Sequence, residues 1–232
     1  MPDVHVFESP AELARVVAQR LAAQVRDLSD AGRTPRLVLT GGTIAQAIYV
    51  SIDETAAPWA SAEYWWGDER YVPEGHADRN DRQARDAFLD RVGVPLARLH
   101  PMPAHGCSES MAEAANSYAM TLPSDPFDVV LLGLGPDAHV ASLFPGQPQL
   151  HETTRRVVEI FDSPKPPPQR ITLTFPALNN THATWFVVSG RDKSEAVKKV
   201  LDGASLDEAP GAGARGLEET VVFLDADAAS KL

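Results

Sequence analysis

Cysteine is almost missing from these 232 residues. The single Cys107 has no intramolecular partner, which excludes a disulfide framework and a zinc site built on cysteine pairs. A reducing compartment fits. Basic residues are also in deficit: 21 Lys and Arg stand against 32 Asp and Glu, a net charge of −11. Such a chain repels nucleic-acid phosphates and anionic membrane surfaces, so neither is expected as a partner, and a small anionic ligand would need a local cluster of Arg and Lys. No apolar run approaches the ~20 residues of a membrane-spanning helix. The N-terminal Met-Pro-Asp-Val-His-Val-Phe-Glu carries acids where a secretory signal carries bases, and the expectation is a cytoplasmic protein. Repeats and low-complexity tracts are absent apart from Ser163-Pro-Lys-Pro-Pro-Pro168, which reads as a stiff internal loop. With 44 % hydrophobic residues and no dividing linker, the chain is read as one globular domain over 1–232, its oligomeric state open with a monomer as the working expectation.

What is present alternates between two periods. Val4-His-Val-Phe7 predicts a short strand, and Ser9-Pro-Ala-Glu12 reads as a capping box that opens a helix. Leu13, Val16, Val17, Leu21, Val25 and Leu28 recur at helical spacing until Gly32. Arg36-Leu-Val-Leu-Thr40 is a compact apolar strand running into Gly41-Gly42 and a second helical pattern. Tyr64-Trp-Trp66 predicts a further strand, and a helix reaching Phe88 and Leu89 follows Asn80-Asp81. Phe127-Asp-Val-Val-Leu-Leu132 is a buried strand ending in Gly133-Leu-Gly135, and Ile171-Thr-Leu-Thr174 is strand-like. Thr184-Trp-Phe-Val-Val188 precedes Ser189-Gly190 and a helix near Lys193. Apolar strands alternating with helices imply right-handed crossovers and an α/β fold: a three-layer, doubly wound, mostly parallel sheet with helices on both faces. Ligands of such sheets gather at the carboxyl ends of the strands.

Four segments carry chemistry. At Thr40-Gly-Gly-Thr43, missing side chains let an anion approach backbone N–H groups at the positive end of a helix dipole, although a plain turn accounts for the glycines equally well. Trp66-Gly-Asp-Glu-Arg-Tyr71, with Arg79-Asn80 nearby, gathers acids and bases behind a strand end, with Trp65 and Trp66 expected to wall a pocket. A solvated, salt-bridged loop is the competing account of that cluster. Gly133-Leu-Gly-Pro-Asp-Ala-His139 sets a lone imidazole just beyond a buried strand, where it could move protons near neutral pH or merely complete a local hydrogen-bond network. Arg170 and Lys193, each near a strand end, could reach a phosphate held at Gly41-Gly42 or simply be solvated. His5, His76, His100, His105, His151 and His182 show no metal spacing and are taken as structural.

Taken together, Leu39-Thr-Gly-Gly-Thr43, Trp66-Gly-Asp-Glu-Arg-Tyr-Val-Pro73, Asp78-Arg-Asn80, Leu132-Gly-Leu-Gly-Pro-Asp137, His139, Ala141-Ser-Leu-Phe-Pro-Gly146, Ser163-Pro-Lys-Pro-Pro167, Arg170-Ile-Thr-Leu-Thr174 and Lys193 form a pattern. It resembles that of the 6-phosphogluconolactonase family, within a wider group that includes glucosamine-6-phosphate deaminases and ribose-5-phosphate isomerases. The resemblance implies hydrolysis of a sugar-phosphate lactone in the oxidative pentose phosphate pathway, with no metal and no organic cofactor. It also implies a phosphate loop at Gly41, Gly42 and Thr43, an acidic and basic pair at Asp68 and Arg70, and a catalytic imidazole at His139. Arg170 and Lys193 would assist with the phosphate.

The pattern is broken at two places. The loop usually reads Gly-Gly-Ser-Thr-Pro, and here Thr43-Ile44-Ala45 removes a hydroxyl and the helix-starting proline. Ala138 stands where glycine is usual, at a position expected to have positive φ or to pass close to substrate, and Val140 replaces the usual threonine. Two other functions share these features. An amino-sugar-phosphate isomerase or deaminase would, by the same resemblance, carry a glutamate where this chain has Phe144, and a non-catalytic sugar-phosphate sensor would tolerate the departures.

Overall fold

A computed structural model describes residues 2–232. In chain order the elements are β1 (Asp3–Phe7), α1 (Pro10–Asp30), β2 (Arg36–Leu39), α2 (Thr43–Val50), β3 (Glu63–Trp66), β4 (Asp68–Arg70) and α3 (Asn80–Ala84), which continues as a π-turn over Arg85–Leu89. They are followed by α4 (Met111–Ala119), β5 (Phe127–Leu132), β6 (Val157–Ile160), β7 (Arg170–Leu173), α5 (Phe175–Leu178), β8 (Thr181–Val188), α6 (Ser194–Leu201) and β9 (Glu219–Asp225). Short 3₁₀ turns fill several of the connections.

Six strands form one sheet in the order β1-β9-β8-β5-β2-β3, and every neighbouring pair is parallel. Its inner strands β2, β5 and β8 are buried on both sides, as their apolar runs require. Leu37, Val129, Trp185 and Phe223 pack towards α1 and α2. The intervening Val38, Val130, Phe186 and Val222 pack towards α4 and α6. Helices therefore cover both faces as expected.

α1 shows how local sequence sets an element. Ser9 accepts the N–H of Glu12 at 3.2 Å, Pro10 occupies the first turn, and Glu12 accepts the N–H of Glu8 at 3.0 Å. This is a capping box displaced by one residue, because the glutamate reaches past Ser9 to the residue before it. The helix ends at Asp30, and Gly32 takes φ 75°. Leu13, Val17, Leu21 and Val25 line its buried stripe.

A second sheet, β4-β7-β6, is antiparallel and was not expected from sequence. Asp68-Glu69-Arg70 is thus a strand rather than a loop, paired residue for residue with Thr172, Ile171 and Arg170. The Ile171–Thr174 run likewise belongs to this sheet and not to the parallel one. After β5 the chain enters a long loop through Gly146, instead of the helix that alternation alone would place there.

Leu21 is fully buried in α1. Leu21→Ala should therefore lower unfolding free energy by about 2–5 kcal/mol in urea melts, with KM unchanged, since the residue lies remote from the strand ends.

Candidate functional site

The order of the parallel strands reverses between β2 and β5: the chain steps from β2 outward to β3, then returns to pair β5 with the other side of β2. Carboxyl ends on either side of such a reversal diverge and leave a crevice. A cleft of about 610 Å³ opens there. Gly41, Gly42, Thr43, Asp68, Arg70, His139, Arg170 and Lys193, the residues singled out from sequence, all line it.

The glycine turn is built by close approach. Tyr49 from α2 accepts the N–H of Thr40 at 3.1 Å and donates to its carbonyl at 2.8 Å, tying the end of β2 to the helix that follows. Burial pushes the Tyr49 phenol well above its ordinary value, so it remains a donor. Gly42 is the cap residue of α2 at φ 100°, where an L side chain would be strained. A Cβ on Gly41 would overlap the Asn80 amide. The first-turn N–H groups of α2 carry no side-chain cap, so an anion in the cleft meets free donors.

β4 feeds alternate side chains to the cleft. Asp68 accepts the Ser142 hydroxyl at 2.6 Å and stands 3.9 Å from Arg170 Nη1. Arg70 donates to Asn80 Oδ1. Glu69, between them, is buried beside Arg79 and lies outside the cleft lining. Burial pushes its carboxyl up, while Arg79 and the N–H groups of Asn80 and Asp81 work the other way. Trp65 and Trp66 do not wall the cleft. Trp66 packs with α1 and α2 in the core, and Trp65 stacks on His100 at 4.2 Å, because a strand buried on both faces sends both indoles inward.

His139 is seated by a tight turn in which Gly135 donates to the His139 carbonyl and Ala138 to that of Gly135, both at 2.9 Å. Ala138 has φ 64°, the positive value expected where glycine is usual, and its methyl is buried in the core. His139 Nδ1 lies 2.5 Å from Asp137 Oδ1, and the ring rests on Phe144 with centroids 4.6 Å apart. Partial burial opposes ionisation of Asp137, but the hydrogen bond and charge of His139, with Lys165, outweigh it and hold the carboxyl at about 2. An ionised Asp137 accepts only, so the hydrogen sits on Nδ1 and the Nε2 lone pair is left for chemistry.

Four cations share the cleft. Lys193 Nζ lies 3.4 Å from Asp192, and Arg70 reaches from β4. Arg170 lines the cleft too, but its Nε donates to Pro167 O at 3.0 Å and its Nη2 to Lys165 O at 3.1 Å, so much of its donor capacity holds the proline loop. That loop presents Lys165, with Nζ 3.5 Å from His139 Nδ1 and 3.9 Å from Asp137. Partial burial pulls the Lys165 ammonium below its usual range, with Asp137 opposing. Lys165, Asn80, Asp137 and Ser142 were not assigned roles from sequence. All four sit inside the recurring blocks quoted above, which was the available signal. The six remaining histidines lie outside the cleft lining, and among the described residues no three His, Cys, Asp or Glu side chains group as metal ligands.

These features define an α/β protein with its candidate site where parallel strand ends diverge. The family model described as glucosamine-6-phosphate isomerases/6-phosphogluconolactonase matches residues 8–223, and the chain belongs to that family. Its relatives narrow the likeness. A 6-phosphogluconolactonase of Streptomyces coelicolor is 40 % identical, the alignment covering 100 % of this chain and 95 % of the relative. One of Mycobacterium tuberculosis is 41 % identical over 99 % of this chain and 98 % of its own. The crystal structure of a 6-phosphogluconolactonase from Thermotoga maritima superposes with a TM-score of 0.86 at 26 % identity, covering 97 % of this chain and all of that one.

A Cβ at Gly135 would overlap the His139 ring and Asp137 Oδ1. Gly135→Ala should displace the imidazole and lower kcat by about 10²-fold, the scale of a 1 Å misplacement, with KM little changed; stopped-flow turnover checks it. Asp137, with its folded value depressed, contributes stability that is full above the ordinary carboxylate range and fades as pH falls towards about 2. Asp137→Asn should accordingly be less stable than wild type in urea melts at pH 7, with the gap narrowing at pH 3.

Proposed function

We propose that this chain hydrolyses 6-phospho-D-glucono-1,5-lactone to 6-phospho-D-gluconate, the ring-opening step of the oxidative pentose phosphate pathway, acting as one domain over residues 1–232. One observation carries the reading: a cradle of bare backbone amides and a lone imidazole, held through Nδ1, line the same cleft. The full-length 6-phosphogluconolactonase relatives support it independently.

The substrate phosphate docks on Gly41, Gly42 and Thr43, with Arg70 and Lys193 as cationic partners and Arg170 contributing field. Orientation of the lactone carbonyl towards His139 follows from that anchor. His139 Nε2 takes a proton from water as hydroxide adds to C1, giving a tetrahedral oxyanion. Asp137 stabilises the imidazolium that forms, and the cleft cations offset the oxyanion charge. Collapse breaks the bond from C1 to the ring oxygen, and the imidazolium returns its proton to that oxygen. Asp68 is read as the acidic partner that orients sugar hydroxyls. A cytoplasmic location goes with this reading, and no helix among the described residues is long and apolar enough to cross a membrane.

The amino-sugar-phosphate alternative meets an obstacle at Phe144. The ring is buried against His139 and has no proton to exchange. The sensor alternative differs in predicting binding without turnover.

His139→Ala should lower kcat by about 10²–10⁴-fold, the usual contribution of general base catalysis, in a lactone assay with spontaneous hydrolysis subtracted. An unchanged rate would remove His139 from the mechanism, and a wild type that binds lactone without turning it over would favour the sensor.

A further inference from the structure

Glu69 takes no part in the mechanism above, yet it is among the most completely buried charged residues near the cleft, 1 % exposed. It alternates with Asp68 and Arg70 along β4, so it points to the opposite side of the strand from those two. On that hidden side Oε1 accepts the N–H groups of Arg70 at 2.9 Å and Asn80 at 2.8 Å. Oε2 accepts that of Asp81 at 3.0 Å, with Arg79 Nη2 at 3.8 Å. Asn80 and Asp81 open α3, and the preceding Arg79 supplies no side-chain cap. The Glu69 carboxyl from β4 therefore performs the capping, and because both of its oxygens accept N–H groups the geometry is that of the ionised form, against the upward push of burial.

The consequence reaches the cleft through Asn80. Its Nδ2 donates to Asp68 O at 2.8 Å and lies 3.4 Å from Asp68 Oδ1, while its Oδ1 accepts from Arg70. The same amide fills the space a Cβ on Gly41 would need. One side chain thus touches the glycine turn, the acid and the cation together.

We propose that Glu69 is a positioning residue for phosphate recognition, fixing the first turn of α3 so that Asn80 seats against Gly41 and aims Arg70. The proposal rests on the reading of Gly41–Thr43 as the phosphate cradle. Glu69→Gln keeps the side-chain volume but exchanges one acceptor for an NH₂ donor facing N–H groups.

The test compares steady-state kinetics on 6-phosphogluconolactone and unphosphorylated gluconolactone, with inorganic phosphate as inhibitor. Glu69→Gln should raise KM for the phosphorylated lactone and Ki for phosphate by about tenfold, the scale of one charge-assisted hydrogen bond, while kcat and turnover of gluconolactone change little. Asn80→Ala should show the same pattern, and the double variant should be no worse than Asn80→Ala alone, since both act along one path. Equal losses on the two lactones, or a lower Tm with the preference for phosphate unchanged, would overturn the proposal. Should Glu69→Gln fail to fold, Asn80→Ala carries the test, and an unchanged preference there is equally fatal. A wild type that does not prefer the phosphorylated lactone sinks the cradle reading itself, whereas a wild-type preference that persists in both variants sinks only the role of Glu69.

Discussion

Between β2 and β5 the direction of sheet building reverses, and because the two strands are parallel their carboxyl ends open on the same edge. The candidate site residues are arranged around that opening. The turn after β2 offers backbone donors, the loop after β5 brings the imidazole, and the junction after β8 adds Lys193. Neither a longer helix nor a deeper core would substitute for it, since a crevice between packed strands exists only where neighbouring crossovers leave in opposite directions. The small antiparallel sheet then closes the crevice from one side, with β4 and β7 supplying Asp68, Arg70 and Arg170.

Electrostatically the cleft inverts the character of the whole chain. A protein of net charge −11 gathers Arg70, Lys165, Arg170 and Lys193 around one concavity. Low-dielectric walls focus the field of such a cluster, an arrangement that favours a small anion over an extended polyanion. Two carboxylates, one buried and one partly exposed, temper the repulsion within it. Asp68 and Asp137 balance cations that would otherwise repel one another at short range, and each is itself held by a hydroxyl or an imidazole.

Much of this was legible beforehand. Apolar runs wholly buried in a parallel sheet announce β2, β5 and β8, and the glycines behind β2 and β5 mark where strands give way to site loops. The positive φ of Ala138 was foreseeable because glycine is usual there. The second sheet was not. β4 is three residues long, too short for a period to register, and its Asp-Glu-Arg composition reads as a solvated loop. Charged residues form a buried strand here only because each finds a partner distant in sequence: Ser142 for Asp68, the start of α3 for Glu69, and Asn80 for Arg70. Pairings of that kind leave no trace in local pattern. The tryptophans misled for the reverse reason, since aromatic residues beside a site suggest walls, whereas a strand covered on both faces turns them into core.

Ala138 also bears on how much strain such a loop can hold. Left-handed backbone at a non-glycine residue costs about 1–2 kcal/mol. Against this stands a buried methyl, worth about 0.8 kcal/mol, while the unfolded-state gain of alanine over glycine is outweighed where φ is positive. The strain is the larger contribution, so alanine at this turn is held at a net cost to folding. An exchange between glycine and alanine beside the imidazole thus alters the strain in the loop, while the bend that carries its histidine is kept by the Gly135–His139 hydrogen bond.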